Sequence, residues 1–283
     1  MIEWHPGFEG GIELRFRHHG SKLHFDHGLP LSKLPIILDT LVIVKEDGYE
    51  INDDVGVIFR KYNIFEYKSP DDALSIDEYY TLLTYMTRYK SQMGKTDEVR
   101  ADQITGTMLR QRYPEKMFRE VQRLGGKIER RFPGIYYITG LIHMPTQVIV
   151  QRELEGKENA VLRVLTRTAT EDDVRTFVAE TRHLTGKQDR HNADAVYQVS
   201  ISANRELYED LIRSDPEMRT ALRELLKDEI QQDMENSLKQ GEILKAKATA
   251  LNMRKMAGMN DPAFVAKIVG VETELVEKWF AEA

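Results

Sequence analysis

Two short stretches decide the fold: Ile36–Val44, IILDTLVIV, and Asn63–Pro70, NIFEYKSP. Each is an apolar, β-branched run that reads as a buried strand, and each carries charge where charge is expensive. Asp39 sits among Ile, Leu, Val and one Thr, while Glu66 and Lys68 flank Tyr67 just after Ile64 and Phe65. A lone carboxylate buried in such a strand costs several kcal/mol, the order of a lost core side chain. Side chains alternate across a strand, so Ile64, Glu66 and Lys68 share one face and Phe65 and Tyr67 take the other. On the first strand Ile37, Asp39, Leu41 and Ile43 share a face, with Thr40 opposite. If the strands are neighbours with those faces aligned, Asp39 and Glu66 meet.

Two carboxylates and a strand carbonyl, that of Tyr67, make a hard, oxygen-only, open site. Such a site suits Mg²⁺ or Mn²⁺ retaining several waters. Lys68 would lie beside it, able to orient or help deprotonate an attacking water, and a divalent cation would neutralise phosphate charge. The residues therefore read as Asp39 and Glu66 for the metal and Lys68 for catalysis. A blander pattern competes with this one. An E-x-K pair is also what a cross-strand ion pair looks like, and Asp39 could be an aspartate bonded to backbone N–H groups at a strand end.

Pro35, then LDTLVI, then EYK at 66–68 resembles the PD-(D/E)XK nuclease superfamily. More narrowly, WHPGFEGGIEL at 4–14, IFRKYNIFEYKSPDDALSIDEYY at 58–80 and PGIYYITG at 133–140 resemble the transposase-like, recombination-promoting nuclease group of bacteria. The likeness covers about the first 150 residues, with only general character beyond. It implies a restriction-endonuclease-like core, metal binding by Asp39 and Glu66, and catalysis by Lys68. It also implies a further acid from the first helix, for which Glu9 and Glu13, one turn apart, are the candidates. The chain departs from the nominal motif in that Ile36, Ile37 and Leu38 separate Pro35 from Asp39.

Composition bounds the rest. The chain has 283 residues, 41% hydrophobic and 30% charged, as in a folded globular protein. No stretch approaches a membrane span, MIEWHPGF lacks the features of a signal peptide, and cysteine is absent. The expectation is a cytoplasmic protein without disulfides or thiolate metal sites. The net charge of −6 argues against a general DNA coat. Charge is uneven, however: Arg100 to Arg131 holds nine basic residues against four acidic ones. Arg110, Arg112, Lys116, Arg119 and Arg123 in that segment are candidates to face DNA phosphates; a solvated helix face is the alternative.

The punctuation predicts an opening helix over Pro6–His18, whose Gly10 and Gly11 weaken it unless they allow close packing. A short strand at Lys22–Phe25, the Asp39 strand, a polar hairpin or loop at Lys45–Asp54 and the Glu66 strand follow. Ser75 and Glu78 form a capping box ahead of Ile76, Tyr79, Tyr80 and Leu83 at helical spacing. Strands are expected at Ile104–Leu109, Gly134–Thr139 and Thr146–Val150, with a helix at Pro114–Leu124. The sum is an α/β class: a mixed sheet flanked by helices, in a nuclease-like domain over 1–150. Residues 151–283 read as a helical C-terminal region. It contains an amphipathic helix at Glu171–His183 and a polar loop at Thr185–Asp194. Near-continuous helix from Arg205 to Met256 follows, broken at Asp215-Pro216 and Gly241. A small helix-turn-helix-like pair over 262–281 begins at Asp261-Pro262, and the C-terminal helices are candidates for homo-oligomer contacts.

No phosphate-binding loop, HExxH zinc motif or G-x-S-x-G elbow is present, which removes the ATPase, metalloprotease and serine-hydrolase classes. The expectation is a Mg²⁺- or Mn²⁺-dependent DNA endonuclease linked to mobile elements or recombination. The alternatives are a catalytically inactive nuclease-fold protein that binds a protein partner, and a module that grips DNA through its basic segment without cutting it.

Overall fold

A computed structural model of the chain describes residues 2–30, 37–72, 74–226 and 228–282. Pro35 and Ile36 lie outside the described residues. The chain divides into two compact units, 1–225 and 226–283. Among the described residues no helix is long and apolar enough to cross a membrane.

The first unit is α/β. Its opening helix α1 (Trp4–Arg15) leads into β1 (Leu23–Pro30), β2 (Ile37–Val44) and β3 (Tyr62–Tyr67). Helix α2 (Ile76–Gln92) connects β3 to the parallel strand β4 (Ile104–Arg110). After α3 (Glu115–Arg123) come β5 (Lys127–Phe132), β6 (Ile135–Thr139) and β7 (Thr146–Val150). Together they form one seven-stranded mixed sheet in the order β1-β2-β3-β4-β7-β6-β5. Strands β3, β4 and β7 run parallel at its centre, and the outer pairings are antiparallel. Every residue of β7 and all but the last of β4 are buried, as central strands covered on both faces require. This mixed sheet flanked by helices is compatible with the restriction-endonuclease-like core that the resemblance implies.

The alternation seen in the sequence sets the two faces. Leu41 and Ile64 join Tyr79, Leu82, Met86 and Tyr89 of α2 in one core layer. On the opposite face Phe65 meets Phe59 edge-on, and Tyr67 stacks on Phe8 of α1 at 4.7 Å. Helix α2 begins with the expected capping box, Ser75 accepting from Asp77 N–H and Glu78 accepting from Ser75 N–H. Its buried stripe is rotated from the expected one, so Tyr80 faces solvent.

Residues beyond 150 belong to the same unit. Helices α4 (Ala160–Arg163), α5 (Glu171–Thr181), α6 (Lys187–Ala203), α7 (Arg205–Ser214) and α8 (Pro216–Leu225) follow the sheet, and α6 packs along α1. The division of the chain therefore falls after residue 225 and not at 150. The polar loop expected at Thr185–Asp194 is instead mostly the first half of α6. Its polar side chains are used there: Gln188 and Asn192 both donate to Glu13 of α1. Strand β5 was not expected, because KIERRF places charge on both faces, as an exposed edge strand tolerates.

The second unit contains α9 (Asp228–Ala257), α10 (Pro262–Val269) and α11 (Thr273–Glu282). Gly241 does not break α9. Asp261 caps α10 by accepting from Ala263 and Phe264 N–H groups, and Gly270 ends that helix in the left-handed conformation. Ala246, Ala250, Val265, Ala266, Val276 and Trp279 form a small core of their own.

Candidate active site

Strands β2 and β3 pair antiparallel, with Thr40 opposite Phe65 and Leu41 opposite Ile64. One step beyond Thr40 and Phe65, the same register sets Asp39 against Glu66, on the face that carries Leu41 and Ile64. Both carboxylates are thus delivered to one place by period-two geometry at the end of a strand pair. Asp39 turns one oxygen inward: its Oδ2 accepts from Tyr67 N–H at 2.7 Å. That bond explains how an aspartate is tolerated here, and it leaves Oδ1 to the 3.5 Å contact with His5 Nε2.

Glu66 is the most enclosed group of the site, its side chain only 7% exposed. Its Oε1 lies 2.8 Å from Lys68 Nζ, while its Oε2 is buried with no hydrogen-bond partner among the described residues. Burial, and then the charge of Asp39, pushes the Glu66 carboxyl above the usual range. For Lys68, burial opposes the ammonium form, yet Glu66 and then Asp39 outweigh it and hold the amine above its ordinary value. In this arrangement Lys68 is a cation, suited to orienting an oxygen nucleophile and countering negative charge rather than to accepting a proton.

The sequence reading missed two further neighbours. His5, in the first turn of α1, places Nε2 3.5 Å from Asp39 Oδ1, and its ring lies edge-on to Tyr67 at 6.0 Å. The Asp39 carboxylate is the main reason that the His5 imidazole is pushed up from its ordinary value, against partial burial. Tyr85 of α2 feels the site as well: burial, then Glu66 and Asp39, raise its phenol. The one sequence signal for His5 was its spacing to Glu9, four residues on and so on the same helix face.

The two first-helix acids are separated by the fold. Glu9 follows His5 by one turn, and its charge acts on His5. Glu13 is not brought to the acid pair. Its Oε1 lies 3.0 Å from His27 Nε2, and its Oε2 accepts from Asn192 at 2.7 Å. His27 in turn reaches Thr40 Oγ1 at 2.9 Å on the far face of β2. The His27 contact holds the Glu13 carboxyl below its ordinary value despite burial. Glu13 is a structural tie among α1, β1, β2 and α6.

The basic residues divide in the same way. Arg110 ends β4, beside Leu109, whose carbonyl accepts from Lys68 N–H. It is partly buried, and its Nε has no partner among the described residues; burial, then Arg112, lowers its affinity for the proton. Arg112, Lys116, Arg119 and Arg123 are exposed. Arg119 and Arg123 make pairs along α3 with Glu115 and Glu120. Such solvent-screened surface pairs contribute little and yield readily to a phosphate.

Among the described residues no three His, Asp or Glu side chains form a ready-made ion cluster. The donors on hand for a hard cation are Asp39 Oδ1 and Glu66 Oε2, both carboxylate oxygens free of backbone hydrogen bonds. An unpartnered buried carboxylate oxygen opposite a second acid is what a divalent cation would satisfy, so the pair fits Mg²⁺ or Mn²⁺ with water completing the shell. Comparisons with protein-family models, curated proteins and solved structures return no match.

Proposed function

We propose that this chain is a metal-dependent DNA endonuclease that hydrolyses phosphodiester bonds, of the kind linked to mobile elements or recombination. The observation that carries the reading is Glu66 Oε2, buried without a partner and set against Asp39, with Lys68 2.8 Å from the other Glu66 oxygen. Asp53 Oδ2 also lacks a hydrogen-bond partner among the described residues, but it has a cationic Arg15 on its other oxygen and His19 at 3.8 Å, whereas Glu66 is set against a second acid.

Asp39 and Glu66 would hold the cation, with the Tyr67 carbonyl as the strand ligand that the sequence points to. Bound there, Mg²⁺ or Mn²⁺ would neutralise phosphate charge and make water a competent nucleophile near neutral pH. Lys68, kept charged by Glu66, orients the attacking water and offsets the negative charge that builds on the phosphate. Tyr67 N–H fixes the Asp39 carboxylate through Oδ2 and leaves Oδ1 free of backbone hydrogen bonds. Arg110, Arg112 and Lys116 offer positive charge for the flanking strand, and exposed Arg119 and Arg123 extend it along α3.

A second reading, a non-catalytic nuclease-fold module for protein or DNA binding, draws on one observation. With Lys68 on Glu66 and Tyr67 N–H on Asp39, much of the acid pair is already satisfied internally. Plasmid nicking separates the two readings. The endonuclease reading expects nicking with Mg²⁺ or Mn²⁺, none in EDTA, and none from Asp39→Asn or Glu66→Gln under any of these conditions. Activity retained in both variants would reject it.

A further inference from the structure

We propose that His5 is the side chain that grips the substrate: its imidazole Nε2 donates a hydrogen bond to a phosphate oxygen of the strand lying over Asp39 and Glu66. The inference rests on the nuclease reading and adds to it the group that brings a polyanion onto two carboxylates.

Four side chains cluster here: His5 contacts Asp39, the strand register sets Asp39 against Glu66, and Glu66 contacts Lys68. A phosphate approaching the acid pair is repelled by both carboxylates, so a donor is needed on the solvent side. Lys68 is poorly placed for that task, because its ammonium is engaged by Glu66 and its side chain is only 21% exposed. His5 is 56% exposed, and an incoming strand meets it first. Its 3.5 Å separation from Asp39 Oδ1 exceeds the usual 2.7–3.2 Å of an N–H···O bond. The imidazole therefore holds Asp39 only by a long contact, which a phosphate oxygen at normal hydrogen-bond distance would replace.

Packing as well as the Asp39 contact sets the ring. It stands edge-on to Tyr67, interplanar angle 87°, and Tyr67 is itself stacked on Phe8 at 4.7 Å. A ring fixed in this way presents its nitrogen before substrate arrives, which is where positioning residues gain their effect. A metal ligand would need to converge with Glu66 as well as Asp39. His5 comes only to 3.5 Å from Asp39 Oδ1, and no three-ligand cluster forms among the described residues. The geometry favours phosphate over metal as the partner of Nε2.

The test uses the full chain as wild type, His5→Ala and His5→Gln, the last keeping an N–H donor of similar reach. Binding of a labelled DNA duplex and of a single strand is followed by anisotropy in Ca²⁺. Mn²⁺ affinity is measured by calorimetry, and KM and kcat for nicking are measured with Mg²⁺. For His5→Ala the expectation is DNA binding weakened about tenfold, the usual effect of losing one charge-assisted hydrogen bond. KM should rise more than kcat falls, Mn²⁺ affinity should hold, and His5→Gln should recover most of the loss. A drop in Mn²⁺ affinity with DNA binding intact would make His5 a ligand instead. Nicking by wild type with all values unchanged in His5→Ala would reject the inference and leave the nuclease reading standing. DNA binding that depends on His5 in a chain that never nicks would do the reverse, and a wild type that neither binds nor nicks would reject both.

Discussion

Gly10→Ala should destabilise the first unit, although the same change in an open helix stabilises. A Cβ at Gly10 would lie 2.8 Å from the carbonyl oxygen of Asn192 and 3.3 Å from its Cα. Both are backbone atoms of α6, so no rotamer change relieves the overlap, and the two helices must part. Alanine in a helix gains about 1 kcal/mol over glycine, whereas overpacking a tight contact costs about 1–3 kcal/mol, occasionally more. With a rigid backbone opposite, the cost sits at the upper end, for a net loss of about 2 kcal/mol. In a unit of this size that is a fall of about 4–8 °C in Tm. Parting α1 from α6 also pulls on the 2.7 Å bond from Asn192 to Glu13, which adds to the loss.

The control is Gly241→Ala in α9, where nothing lies within 4 Å of the added Cβ. It should stabilise its own helix by about 0.5–1 kcal/mol. Urea and thermal unfolding followed by circular dichroism measure both variants. A Gly10→Ala protein as stable as Gly241→Ala would show that α1 and α6 do not meet at this distance. The assignment of residues 151–225 to the first unit would then lose its main support.

Other outcomes follow from the site and the boundary. In EDTA, Glu66→Gln should be more stable than wild type near neutral pH. The folded-state carboxyl of Glu66 lies above its unfolded value, so its contribution is fully present below the ordinary glutamate range and is lost as pH rises through the raised value. Denaturation curves from pH 4 to 8 should therefore converge at the acid end, and a gap that widens there would refute the sign. Lys68→Met should leave Mn²⁺ binding nearly intact while slowing single-turnover cleavage about 10²-fold or more. Lys68→Arg should not restore the rate, since a planar guanidinium does not replace a compact ammonium bonded to Glu66. A chain ending at Val150 should melt broadly, because it lacks the α6 surface that covers α1. A chain ending at Leu225 should melt cooperatively, and equal cooperativity in the two would return the boundary to residue 150.

The acid pair was legible in the sequence because it depends on local rules. Period-two alternation placed Glu66 with Lys68, β-branched content marked IILDTLVIV as buried, and antiparallel pairing of the two strands did the rest. The capping box at Ser75 and Glu78 was legible for the same reason. What failed to show was tertiary. His5 precedes a proline and has only its spacing to Glu9 as a local signal, which does not point to Asp39; the packing of α1 over Tyr67 brings it there. Between Glu9 and Glu13 the sequence offered no choice, because the Asn192 and His27 that occupy Glu13 come from other elements. The first half of α6 was read as loop since KQDRHN carries no apolar stripe, and its helix is visible only through the face beyond Ala193. Strand β5 hid behind its charge, as edge strands do.

The same local rules are broken at the acid pair, and the way they are broken bears on the site. On the α2 side of the sheet most inward positions of the central strands are apolar, Leu41 and Ile64 among them, and buried Thr146 is tied to the Tyr79 hydroxyl. Asp39 and Glu66 follow directly along those rows, so the acids occupy positions that the strand pattern assigns to hydrophobic side chains. The fold limits the cost in two ways, by Tyr67 N–H on one Asp39 oxygen and by Lys68 on one Glu66 oxygen. It stops there, leaving Glu66 Oε2 buried without a partner. Had the residues been selected for stability alone, a leucine at either position would extend the core and remove the repulsion, since buried ion pairs commonly lose to apolar replacements. A half-satisfied acid pair, bracketed by an exposed imidazole and a half-buried ammonium, is therefore better explained by a ligand that completes it than by the fold it burdens.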